Sequence, residues 1–123
     1  MELQKNVYGD DLKECGCDPM TGFFRDGLCS TDADDIGSHT VCVQMTDSFL
    51  QYSKAQGNDL TTPVPEFNFP GLCAGDRWCV CAQRWKEAYK EGVAPKIILL
   101  ATNQKVLDII PLEILKQYAI DLS

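Results

Sequence analysis

Seven cysteines stand in this chain of 123 residues, and the role they play limits everything else the chain can build. The count is odd, so at least one thiol has no partner within a monomer. Met1-Glu2-Leu3-Gln4-Lys5 lacks the basic-then-apolar pattern of an export signal, so a cytoplasmic location is expected. Thiols stay reduced there, which argues against a disulfide framework. Three roles are left: small buried hydrophobes, metal ligands, or reactive thiols.

The rest of the composition describes an ordinary globular chain. Hydrophobic residues make up 45% and charged residues 24%, enough apolar material for one core, and a single domain over residues 1–123 is expected. The run Ile97-Ile98-Leu99-Leu100-Ala101 falls far short of the roughly 20 residues of a membrane helix, so no membrane partner is expected. A net charge of −7 repels phosphate backbones, which argues against nucleic acid as a partner.

Local patterns predict an α+β fold, a small β-sheet with about four helices packed on it and long ordered loops. Thr40-Val41-Cys42-Val43-Gln44-Met45 reads as a strand, with Val41, Val43 and Met45 on one face and Cys42 on the other. Thr46 or Asp47 caps a helix through Phe49, Leu50, Tyr52 and Ser53 that stops at Gly57. The Gly- and Pro-rich stretch 57–75 is a long connection, pinned by Phe67, Phe69 and Leu72. Trp78, Cys81, Ala82, Trp85, Ala88 and Tyr89 then recur at helical spacing, which predicts a helix over 76–91 capped by Asp76. Residues 97–101 read as a buried strand, followed by two short helices near 103–109 and 111–119, with Pro111 at a first helical position.

Three constellations carry chemistry. His39, Cys42, Cys79 and Cys81 hold the donor types of a zinc or iron site, although no Cys-x-x-Cys knuckle occurs. A helix over 76–91 separates Cys79 from Cys81 by about 200°; an extended segment puts both on one face. Cys79 and Cys42 are the candidate nucleophiles, Cys79 because a first-turn position beside Arg77 favours a thiolate. Arg25, Asp26, Asn58, Asp59, Arg77 and Trp78 sit in glycine-punctuated loops beside aromatic residues and suit a small-ligand pocket. The acidic run Asp32-Ala33-Asp34-Asp35-Ile36-Gly37 opens like a calcium loop but offers Ile36 and Val43 where oxygen donors are required, and reads as a solvated turn.

Longer phrases add a resemblance. Asp18-Pro19-x-Thr21-Gly22-Phe23-x-Arg25-Asp26-Gly27-x-Cys29, His39-Thr40-Val41-Cys42, Gly57-Asn58-Asp59-Leu60 and Gly75-Asp76-Arg77-Trp78-Cys79-x-Cys81-Ala82 continue one another along nearly the whole chain. Together they resemble a bacterial family of small proteins known as domain of unknown function 2237. The resemblance implies that Cys15, Cys29, Cys42, Cys79 and Cys81 belong to a shared pattern and that Cys17 and Cys73 are additions. It also implies that Leu28-Cys29 stands where relatives often have two cysteines, so a site needing a thiol at 28 is absent. It carries no activity. The expected function is a small ligand- or metal-binding module with a Cys/His site between the long loops and the 76–91 helix. A cysteine-dependent enzyme and an adaptor with packing cysteines are the alternatives.

Overall fold

Val41, Cys42 and Val43 alternate on a pleat, and Val41–Gln44 forms strand β1 in the computed structural model, which describes residues 3–17 and 20–121. β1 is the middle of a three-stranded antiparallel sheet, between β2 (Arg77–Val80) and β3 (Lys96–Ile97). The register places Val41 opposite Val80, Cys42 opposite Cys79 and Val43 opposite Trp78, with Ile97 flanking Val43 on the other edge.

Period-two alternation divides the sheet into two apolar faces. Val41, Val43, Met45, Trp78, Val80 and Ile97 join the main core. Cys42 and Cys79 point the other way, into a second cluster with Cys15, Cys29, Ile98 and Ala101. The loop cysteines Cys15 and Cys29 therefore lie on one face of the sheet and the helices pack on the other.

Helix α1 (Asp47–Ala55) starts as expected: the Thr46 hydroxyl accepts the Phe49 amide at 3.2 Å, and Phe49, Leu50 and Ser53 are buried. Residues 76–91 do not form one helix. Arg77–Val80 pairs with β1, and helix α2 runs only from Ala82 to Lys90. A short Trp-Cys-Val run satisfies both periods, and pairing with β1 satisfies backbone groups that a helix would leave open along that strand. Asp76 caps no helix; its carboxylate accepts the Cys73 amide at 2.9 Å.

Other expectations shift in the same way. Of the apolar run 97–101 only Ile97 is strand, paired with Lys96 in β3, and Leu99–Ala101 is a 3₁₀ turn. Gln104–Asp108 is also 3₁₀, and α3 spans Leu112–Gln117 with Pro111 as its N-cap residue. Three α-helices are described, not about four. In the long connection Leu72 is buried and Phe69 packs on the core, but Phe67 is 74% exposed and pins nothing. Asp18-Pro19, a turn-forming pair that opens the first of the longer phrases above, lies outside the described residues. Among the described residues no helix is long and apolar enough to cross a membrane.

The expectation against disulfides is also overturned. Cys15 is bonded to Cys42 and Cys29 to Cys79. Two strand cysteines thus tie down two loop cysteines, and the first third, which has no helix or strand of its own among the described residues, is stapled to the sheet.

Candidate functional site

Ser38 lies in the left-handed region, with φ of 51°, and turns the acidic loop back toward the sheet. Its carbonyl accepts the Ala82 amide at 3.0 Å, the first N–H of α2. That bond seats the loop 31–39 on the helix start, where Cys81 is the N-cap residue. His39 and Cys81 both border the space beside that helix start. A Cβ built on Gly37 would lie 2.9 Å from His39 Cε1 and 3.6 Å from Cys81 Sγ, so the absence of a side chain at 37 leaves the two groups facing one gap.

Behind His39 stands Asp35. His39 Nδ1 lies 2.6 Å from Asp35 Oδ1, and the His39 amide donates to Oδ2 at 2.8 Å. The Thr31 hydroxyl donates to the same Oδ2 at 2.9 Å. An ionised carboxylate only accepts, so Nδ1 carries the proton and Nε2 is left as the basic nitrogen. Burial of Asp35 works to raise its pKa, but the hydrogen bonds from the His39 ring, the His39 amide and Thr31 outweigh it and hold the carboxyl below the usual range. Phe23 stacks on the imidazole, with centroids 6.2 Å apart.

Cys81 is a free thiol at a helix start. It sits at the positive end of α2, whose first turn holds no acidic residue and no side-chain cap, and Arg84 follows three residues later. His39, Cys81, Arg84, Asn58 and Trp78 line a small cavity of about 80 Å³. A second cavity of about 260 Å³ shares the His39, Leu60 and Trp78 walls and adds Arg25 and Phe69. Arg25, itself at φ 55°, lies over the Trp78 ring at 5.0 Å and donates to the Gly22 carbonyl at 2.8 Å.

The structure brings His39, Cys81, Trp78, Asn58 and Arg25 together and leaves the other candidates elsewhere. Cys42 is buried on the far face of the sheet in its disulfide, away from His39. Cys79 borders the small cavity, but it is a strand residue with its sulfur bonded to Cys29, not a first-turn helix thiol. Asp26 accepts the Leu28 amide and serves a turn. Asp59 accepts from both amides and both hydroxyls of Thr61 and Thr62; the two hydroxyls, followed by the Thr61 amide, hold its pKa far below the usual range. Arg77 is exposed and borders none of these cavities. Asp35, Gly37 and Arg84 were not evident beforehand. The usable signal was Cys81 directly preceding a helix, which the assumed longer helix concealed.

The buried sulfurs form a separate feature. The Sγ atoms of Cys15, Cys29 and Cys79 lie within 4.8 Å of one another, a spacing that suits a shared metal when the sulfurs are thiolates. The two disulfides use these same atoms instead.

A family model described as an uncharacterized protein conserved in bacteria, DUF2237, matches residues 5–119. The chain belongs to this family. DUF2237 carries no assigned activity, so membership leaves the chemistry to the residues. No curated protein matches the chain. Four of the five cysteines that the resemblance assigns to the DUF2237 pattern make the two disulfides, and the fifth, Cys81, is a free thiol.

Proposed function

We propose that this DUF2237 domain is a cysteine-dependent acyl-transfer enzyme in which Cys81 is the nucleophile, His39 the base and Asp35 the residue that orients the base. One observation carries the reading: the 2.6 Å Asp35–His39 contact on an imidazole that shares the Gly37 gap with Cys81. A nucleophile, a base and a carboxylate that fixes the base's tautomer are the three parts such chemistry needs.

The steps balance without a cofactor. His39 Nε2 takes the proton from Cys81, and the thiolate attacks the substrate carbonyl carbon. A C–S bond forms, and the bond to the leaving group breaks as that group takes the proton from His39. Water then attacks the thioester, giving its proton to His39, and the thiol of Cys81 leaves reprotonated. Beyond the Ala82 amide, which the Ser38 carbonyl occupies, the start of α2 has no side-chain cap and offers main-chain N–H groups to the developing oxyanion.

The test is site-resolved alkylation with iodoacetamide at neutral pH, with the exposed free thiol of Cys73 as internal reference. Cys81 is expected to react at least about tenfold faster than Cys73. His39→Gln and Asp35→Asn should both remove that advantage. An aryl ester should leave an acyl group on Cys81, seen as a mass increase on its peptide. Equal rates at Cys81 and Cys73 in the wild-type protein would sink the proposal.

A second reading is favoured by the sulfur cluster. Opening the two disulfides leaves Cys15, Cys29 and Cys79 as closely spaced soft ligands, which suit zinc or iron. Elemental analysis of protein reduced anaerobically and offered zinc tests it. About one metal per chain supports the reading, and none overturns it.

A further inference from the structure

We infer that the Cys81 site takes an anionic acyl substrate, one bearing a carboxylate or similar group close to the reacting carbonyl and an apolar body behind it. The inference rests on the acyl-transfer reading and specifies its substrate class.

The support is a contrast of charge. The chain has 18 acidic residues against 11 basic ones. Yet among the described residues no carboxylate lines the cavity at Cys81 or the two that continue from it, of about 260 and 280 Å³, along Trp78, Phe69 and Phe67. Their charged side chains are Arg84 beside Cys81 and Arg25 farther along, with His39 between. Among the described residues neither arginine has a salt-bridge partner, in a molecule with a surplus of carboxylates to offer. Cavities elsewhere on the surface hold carboxylates beside their cations: Asp32, Asp35 and Asp108 line one with Lys105, and Asp47 lines another with Lys54.

Guanidinium groups without an acidic partner in a partly enclosed, aromatic-walled groove raise the local concentration of anions against the repulsion of the whole molecule. Arg84 stands three residues after Cys81, one helical turn along α2, so it faces a group close to the reacting carbon. Arg25 holds its place over Trp78 at the mouth of the larger cavity, where Leu60, Phe69 and Val64 offer the apolar wall. The substrate class that fits is a carboxylate-bearing thioester, ester or amide with a bulky apolar group.

The experiment uses two alkylating agents that differ in one charge. Intact oxidised protein is treated separately with iodoacetate and iodoacetamide, and the rate at each cysteine is read by peptide mass spectrometry. The ratio of the two rates at Cys81 is divided by the same ratio at Cys73, which cancels the intrinsic difference between the reagents. An iodoacetate preference on the order of tenfold at Cys81 is expected, falling with added salt. Arg84→Gln should bring the normalised ratio close to one, and Arg25→Gln should lower it less.

The two failures are separable. Rapid modification of Cys81 by iodoacetamide with no iodoacetate preference overturns the anionic substrate and leaves the thiol reading standing. A preference that survives Arg84→Gln also overturns it, because the selectivity then comes from elsewhere. Slow modification by both reagents, at the rate of Cys73, ends the acyl-transfer reading and this inference together.

Discussion

Cys42 and Cys79 face one another directly across β1 and β2, and neither is bonded to the other. Both main-chain amides point away from the shared ladder. Cys79 donates to the Thr21 hydroxyl at 2.8 Å and Cys42 to the Thr102 hydroxyl at 3.1 Å. The pair is therefore a non-hydrogen-bonded one, the kind in which side chains stand closest. Each sulfur turns instead to a loop cysteine, so one cross-strand pair anchors two distant stretches of chain.

The bridges should dominate stability. They close segments of 27 and 50 residues, and they interleave, since Cys29 lies inside the first loop and Cys42 inside the second. Replacing Cys29 and Cys79 together by alanine should cost about 4 kcal/mol on a loop-closure estimate. Urea unfolding of the double variant against wild type measures it. An unchanged midpoint would show that the first third is held without its staple.

Thr21 should matter more than a loop residue usually does. Its hydroxyl is the acceptor for the buried Cys79 amide. Thr21→Val keeps the shape and removes that acceptor, which should cost about 1–3 kcal/mol. The same denaturation assay reads it, and hydrogen exchange at the Cys79 amide should accelerate.

Asp35 should give the stability a distinct acid limb. Its pKa is lower in the folded protein than the ordinary 3.8. Its contribution is therefore complete above that value, where the unfolded carboxyl is also ionised. It is lost as pH falls from there through the folded value. Asp35→Asn should cost about 2 kcal/mol at pH 7, since an amide cannot accept all three donors. The gap between variant and wild-type urea midpoints should close at acid pH; a constant gap would show that the charge of Asp35 is immaterial.

Gly37→Ala separates reactivity from folding. Gly37 does not need a left-handed backbone, so alanine is tolerated by the main chain. Its Cβ would press on His39 Cε1 and occupy the gap facing Cys81. Stability should change by about 1 kcal/mol or less, because the half-exposed imidazole can yield. The iodoacetamide rate at Cys81 should fall toward that of Cys73. An unchanged rate would mean that His39 does not act on this thiol.

Much of the fold was legible because its signals are local. The Thr46 cap and Phe49-Leu50 define α1 within a few residues, and the Val41-Cys42-Val43 alternation assigns each side chain to its face. The site was legible only in part. His39, Cys81, Trp78, Asn58 and Arg25 carried recognisable chemistry, but Asp35 looked like one acid in a solvated turn, and nothing local shows that it backs an imidazole.

What the sequence determined by itself is therefore the content of each face and the punctuation between elements: caps, glycine stops, apolar periods. What the tertiary structure decided is partnership. Whether Trp78-Cys79-Val80 is helix or strand depends on β1 lying beside it, because a run that short fits both periods. Which cysteines bond depends on which ones the register and the loops bring together. Cys81 became a candidate nucleophile only when the chain changed from strand to helix at that residue and the Ser38 carbonyl seated His39 beside it. Contacts between residues forty positions apart leave no trace in local pattern, since their free energy is gained only once the chain has closed on itself.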